Sequence, residues 1–335
     1  MSVLTLMLWT IGCSGQSNTV TAIVIHPIRP DILYVTTNDR VYKTRDAGET
    51  WTALTEGLGA ARVLSLAIHP VMTSTVYAGT LGDAVYRSVD GGQRWSIINA
   101  GLKEHITVVN AFVFHPQDPD TIFAAATVGI FKTTNAGLLW EEIPNKGMDS
   151  VYVVSLVLDR ANTNLLYAGT SGGVYRSRNG GQTWEAVNKG LIEREMETGL
   201  ALGMNTMVQD PGLPATLYAG TTRGAYRTMN GGESWTKITG GLGDWFIASI
   251  VLDPENTRVL YAGTGKGVFK SADGGENWTA VNQGLTNLNV RSLAMHPTNP
   301  QILYAGTHGG LFKTVEGGAT WRALNLQSSK MRDAG

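Results

Sequence analysis

One short box recurs seven times along this chain of 335 residues, and no other feature restricts its folding so tightly. The box reads Ser/Thr-x-Asp/Asn-x-Gly-x-x-Trp. It appears as "TRDAGETW" ending at Trp51, "SVDGGQRW" at Trp95, "TTNAGLLW" at Trp140 and "SRNGGQTW" at Trp184. It continues as "TMNGGESW" at Trp235, "SADGGENW" at Trp278 and "TVEGGATW" at Trp321. The steps from Trp to Trp are 44, 45, 44, 51, 43 and 43 residues. Such a period marks a stack of equivalent units, each too small to bury its own apolar surface.

Each unit reads as four short strands. In the last, "VRSLAMHPTNPQILYAGTHGGLFKTVEGGATWRALN", the segment "VRSLAM" alternates and runs into a His-Pro turn. "ILYAG" follows, then a Gly-rich turn, then "LFKT" into the box, and "TWRALN" closes the unit. Four strands in one period predict an all-β fold, a seven-bladed β-propeller of four-stranded antiparallel blades. The box turns fall between strands three and four. An apolar fraction of 43% can supply the core, and the 41 glycines are spread along the chain as turn residues. The propeller is expected over 19–326 as one domain, with a separate segment at 1–18 and a tail at 327–335. The one candidate helix is "GLIEREMETGLALGM".

The box has a structural explanation. The acidic or amide slot holds Asp46, Asp90, Asn135, Asn179, Asn230, Asp273 and Glu316. An oxygen there can accept hydrogen bonds from turn N–H groups, and the Ser/Thr hydroxyl can tie the two strands. The glycine permits positive φ. Each tryptophan is expected between neighbouring sheets, burying roughly 150–250 Å². A calcium or carbohydrate site at each box is the functional alternative. Seven equal copies, and Glu316 standing in for Asp without other change in its unit, favour the structural reading.

These boxes resemble Asp-boxes, or BNR repeats. Such repeats occur in sialidases, sortilin-type receptors, xyloglucan-active glycoside hydrolases and the propeller factors of photosystem II assembly. The resemblance covers about residues 19–326 and is greatest to generic bacterial BNR-repeat propellers, through "LYAGT…GGVYRS" and the boxes. It is specific for the blade and unspecific for function.

Signals of catalysis are sparse. Net charge is −1 with 16% charged residues, so neither nucleic acid nor an anionic membrane surface is an expected partner. Cys13 is the only cysteine, which excludes an internal disulfide or a cysteine zinc cluster. His26, His69, His115 and His296 share one turn slot that Asp159, Asp210 and Asp253 fill in units four to six. They therefore read as turn caps on different blades, and no metal or cofactor is expected. Sialidase chemistry implies an arginine triad and an Arg-Ile-Pro signature; Ile28-Arg29-Pro30 has the wrong order. The xyloglucan hydrolases resembled here clasp their substrate between two propellers, with a catalytic Asp from each, and this chain supplies one ring. A carboxylate pair for glycoside hydrolysis remains an open reading, because Glu193, Glu195 and Glu197 lie on the longest loop. No G-x-S-x-G elbow is present, and "GTGKG" at Gly263 to Gly267 is one copy of a repeated turn.

Variation between units concentrates in the loops joining strand two to three and strand four to the next strand one. Propeller topology places both on the face opposite the boxes. These loops offer Asp39, Arg40, Asp83, Arg223, Lys266 and His308, and then Arg62, Lys103, His105, Tyr152, Trp245 and Arg291. The 51-residue step carries an insertion, "NKGLIEREMETGLALGMN", with Glu193, Arg194 and Glu195. Insertions in regular arrays commonly map to a working face, though a tolerated surface loop explains this one as well. Trp245 suits a peptide or sugar platform, or equally a plug between blades. The leading expectation is a binding scaffold for a protein partner, in assembly of an envelope or membrane complex. A carbohydrate-binding protein or glycoside hydrolase using the same face is the alternative.

The N-terminal "SVLTLMLWTIGC" is apolar and ends on Cys13. It resembles a bacterial lipobox, which implies export, lipidation at Cys13 and membrane contact only through that lipid. Thr10 departs from the usual leucine, and no basic residue precedes Arg29. A strand over residues 5–12, in repeat register with Trp9, is the competing reading.

Overall fold

The computed structural model describes residues 18–83, 85–102, 107–191 and 202–327. They form seven antiparallel sheets of four strands, and in every sheet the strands are paired in chain order. Blade 1 spans Val20–Leu54, blade 2 Val63–Ile97, blade 3 Val109–Glu142 and blade 4 Val153–Ala186. Blade 5 spans Met204–Lys237, blade 6 Ile247–Ala280 and blade 7 Val290–Leu324. No helix occurs among the described residues. The candidate helix of the insertion and the Trp9 segment lie outside them.

First strands pack on one another around the axis, blade 7 against blade 1 included. Each carries a bulge that leaves its second residue unpaired, as at Thr21, Asn110, Asn205 and Arg291. A bulge increases local twist, which suits an inner strand that must splay from its neighbours. Three of these residues use the freedom to bond the next blade: Thr21 Oγ1 to Val63 O at 3.4 Å, Asn110 Nδ2 to Val153 O at 2.7 Å, and Asn205 Nδ2 to Ile247 O at 3.1 Å. Second strands are buried on both faces, four of them with the sequence LYAGT. That continuous burial is what a sheet covered on each side requires.

The core is a ring of seven interblade clusters. At the first joint Tyr34, Val41 and Leu54 of blade 1 meet Val63, Leu66 and Trp95 of blade 2. At the last, Tyr304, Leu311 and Leu324 of blade 7 meet Val20, Leu33 and Trp51 of blade 1. All seven box tryptophans are buried, from 1% exposed at Trp140 to 5% at Trp184 and Trp321. Each box also presses the glycine three residues before its tryptophan on an aliphatic residue of the preceding blade. A Cβ on Gly48 would lie 2.7 Å from Leu324 Cδ1, and one on Gly181 2.8 Å from Ile143 Cγ2. Close approach and positive φ together require glycine there.

Among the described residues, blade 7 closes on blade 1 with no shared strand. Tyr304 Oη and Lys313 Nζ both donate to Ala47 O, at 3.1 and 2.9 Å. This pairing is a general latch. Tyr34 and Lys43 bond Gly91 O, and Tyr167 and Arg176 bond Gly231 O, each on the following blade. The joint between blades 3 and 4 lacks it, because Phe123 replaces the tyrosine and Lys132 lies over the Phe123 ring at 5.5 Å.

Candidate functional site

The two faces of the ring differ in kind. On the box face, the polar residues of the boxes and of the histidine slot are spent on turns. Thr44 Oγ1 donates to Asp46 Oδ1 at 2.7 Å and accepts from Gly48 N, while Thr50 N donates to Asp46 Oδ1 at 2.8 Å. The same set recurs at Ser271, Asp273, Gly275 and Asn277. The hydroxyl thus ties the turn to itself rather than one strand to the other, which corrects the expectation from sequence. Hydrogen bonds from turn amides hold the Asp273 carboxyl down to about 2. Glu316, one methylene longer, instead accepts from the Thr320 hydroxyl at 2.7 Å. The histidine slot is a cap. His26 Nδ1 accepts from Ile28 N and Arg29 N, as Asp159 Oδ1 accepts from Ala161 N and Asn162 N. Among the described residues, no group of three His, Cys, Asp or Glu side chains is placed to hold a metal ion.

The opposite face gathers exposed groups at blades 6 and 7. Trp245 and Phe246, entering the first strand of blade 6, are 44% and 39% exposed, and Leu288, in the loop before the first strand of blade 7, is 41% exposed. Lys266 Nζ lies 5.1 Å from the centre of the Trp245 ring, and the Arg291 guanidinium 5.7 Å from that of Phe246. Cations over aromatic faces stay attracted while keeping their outer N–H donors for a ligand.

Local geometry fixes each member. Lys237 and Asp244 pair at 2.8 Å just before Trp245, and Gly243 has φ 77. Lys266 N donates to Thr264 Oγ1 in a tight turn that ends on Gly267 at φ 109. Arg291 is the bulged residue of its strand. His308 N bonds Asn289 O at 3.0 Å. Desolvation first, and the charge of Arg291 second, hold the His308 imidazole below its usual value.

Of the loop residues singled out in the sequence, Trp245, Lys266, Arg291 and His308 thus share one corner. Those of the others that the structure describes sit elsewhere on the ring. Arg40 pairs with Asp39 at 3.7 Å, and Arg62 Nη2 donates to Asn38 Oδ1 at 2.9 Å, both at blades 1 and 2. Tyr152 is exposed at blade 4, and Arg223 caps its turn through its own N–H to Thr221 Oγ1 at blade 5. Lys103, His105, Glu193, Arg194, Glu195, Glu197 and Cys13 lie outside the described residues. Phe246 and Leu288 went unnoticed in the sequence. Phe246 had one available signal, its place directly after Trp245 in an aromatic pair.

Comparison with known proteins fits this architecture. A family model described as "Sortilin, neurotensin receptor 3" matches residues 39–168. No curated protein matches the chain. Among solved structures, the GH74 xyloglucanase from Xanthomonas campestris is 18% identical with a TM-score of 0.75, covering 93% of this chain and 55% of its own. This chain therefore spans about half the length of that enzyme. YCF48 from Cyanidioschyzon merolae is 17% identical, with a TM-score of 0.63 and coverage of 90% and 97%. A YCF48 structure bound to D1 peptide is 16% identical, with a TM-score of 0.65 and 94% of both chains covered. The extracellular domain of a putative one-component system from B. thetaiotaomicron is 14% identical, with a TM-score of 0.72 and coverage of 90% and 39%. At these identities the likeness establishes the fold.

Proposed function

We propose that this propeller is a non-enzymatic binding scaffold that presents its loop face to a protein partner, in the assembly or stabilisation of an envelope or membrane complex. The observation that carries the reading is the exposed corner of blades 6 and 7, where Trp245 and Phe246 each lie under a cation. Exposed aromatic and arginine side chains on a rigid base are the groups that anchor protein interfaces. A ring of like extent has been solved with a peptide bound, which supports the class of partner without naming it. Export and lipid attachment at Cys13 belong to this proposal, and loss of labelled-fatty-acid incorporation in Cys13→Ser tests them.

Affinity capture from native membranes tests the face. Trp245→Ala and Arg291→Ala are expected to lose a partner that the wild-type ring retains, with unchanged melting temperature. Equal recovery by both variants overturns the assignment. The aromatic pair would also suit a sugar ring, and the similarity to a xyloglucanase fold favours keeping that second reading. Trp245-dependent binding of xyloglucan oligosaccharides, with no protein captured, would replace the first reading by the second.

A further inference from the structure

On the box face, two joints of the same ring carry matching cations with different surroundings. At the joint of blades 4 and 5, Arg176 and Arg178 share two carboxylates. Arg176 bonds Glu185 at 2.8 Å and Glu233 at 2.7 Å, while Arg178 bonds the same pair at 3.1 and 3.3 Å. The joint of blades 1 and 2 repeats the cations in register. Lys43 stands in the slot of Arg176, three residues before the Asp or Asn of the box, and Arg45 in that of Arg178. The two acids are missing. Thr52 occupies the slot of Glu185 after the box tryptophan, and Gln93 that of Glu233 after the paired glycines.

Open space replaces the carboxylates. A cleft of about 510 Å³ is lined by Lys43, Arg45, Thr52 and Gln93. A neighbouring cleft of about 730 Å³ shares Lys43 and Arg45 and adds Arg29, Arg87 and His26. Lys43 is only 7% exposed, and its one hydrogen bond, at 2.7 Å, goes to the neutral Gly91 carbonyl. Arg29 and Arg45 are exposed and make no ion pair among the described residues. The acids that do line the clefts are committed elsewhere. Asp46 serves Thr44 and Thr50, and Asp90 serves Ser88 and Arg94 N. Burial first, then the charges of Arg45 and Arg29, bring Lys43 down to about 8 against the smaller opposing effect of Asp90, and its ammonium lies 4.9 Å from the centre of the Tyr34 ring. The His26 Nε2 atom is buried with no hydrogen-bond partner. A buried cation beside two unpaired guanidinium groups is costly unless a counter-charge arrives.

We infer that the cleft between blades 1 and 2 binds a ligand bearing two neighbouring carboxylates, which take the places that Glu185 and Glu233 fill between blades 4 and 5. A free dicarboxylate and a pair of acidic side chains on a peptide offer the same chemistry. Val71 and Met72, 70% and 46% exposed on the wall of the larger cleft, add an apolar surface beside the charges.

Calorimetric titration of the full chain with glutarate, with an acetylated Glu-Glu dipeptide and with inorganic phosphate tests this. One dicarboxylate per chain is expected to bind, and Arg45→Gln to weaken it by about tenfold, the usual order for loss of one charge-assisted contact. Because Lys43 is buried and its removal threatens the fold, the second variant fills the site instead. Thr52→Glu with Gln93→Glu is expected to raise the melting temperature and abolish binding. Binding of glutarate alone identifies a free metabolite, and binding of the dipeptide alone an acidic segment of a partner; both sustain the inference. It is overturned if neither carboxylate probe binds, if phosphate binds more tightly than both, or if the double glutamate variant binds like wild type.

Discussion

Indoles in equivalent slots of this ring are not equally satisfied. Trp140 Nε1 donates to Ile98 O at 2.9 Å, and Trp235, Trp278 and Trp321 reach the preceding blade in the same way. Trp95 and Trp184 bury theirs without a partner. We therefore expect Trp140→Phe to cost about 1 kcal/mol more than Trp95→Phe in urea unfolding, because only the first leaves a carbonyl orphaned. The turn acids give a second test. Asp273 has a folded value depressed to about 2, so its contribution is present above the ordinary carboxylate range and is lost as pH falls toward that value. Asn179 fills the same slot without titrating. Asp273→Asn is thus expected to flatten the melting temperature between about pH 4 and pH 2 and to leave it nearly unchanged at pH 7. The caps at His26 and His296 follow the same sign. Burial lowers His296, so its contribution is complete above the usual imidazole value of about 6.5 and declines below it. His296→Asp, copying Asp159, should remove that step from a pH titration of stability.

At the scale of strands and joints, the missing latch between blades 3 and 4 singles out one seam. Other seams set a tyrosine or a strand-three cation on a box carbonyl, as Arg227 does on Gly274 O at 2.9 Å. Phe123→Tyr is expected to stabilise the protein by about 0.5–1.5 kcal/mol, and hydrogen exchange across that seam to slow accordingly. Much of this level was readable beforehand. Tryptophans, box glycines and turn caps repeat, and repetition at a fixed period shows what each position must do. The latches were hidden, because their acceptors are main-chain carbonyls that carry no side-chain signature. The candidate corner was half visible. Trp245, Lys266, Arg291 and His308 stood out as loop residues, but their adjacency depends on how loops of successive blades lean together. The cleft between blades 1 and 2 escaped notice because its signal is two absent glutamates, legible only when one joint is laid over another.

For the whole molecule, the decisive contact is the meeting of its first and last blades. Gly306 admits Val20 there, since a Cβ at 306 would lie 2.5 Å from Val20 Cγ1. Gly306→Val is expected to destabilise by about 1–3 kcal/mol through overpacking, and the loss should register at both ends of the chain in hydrogen exchange. Since every sheet is made of consecutive strands, the chain should also tolerate new ends between Gly59 and Ala60 once the old ones are linked. Among the described residues the closing seam is held by packed side chains and by side-chain bonds to main-chain carbonyls, with no backbone ladder crossing it. Tension applied to the two ends would therefore peel blade 7 from blade 1 at modest force and spring the annulus into an arc. The individual sheets would ravel only afterwards, so the molecule should yield in two stages under load.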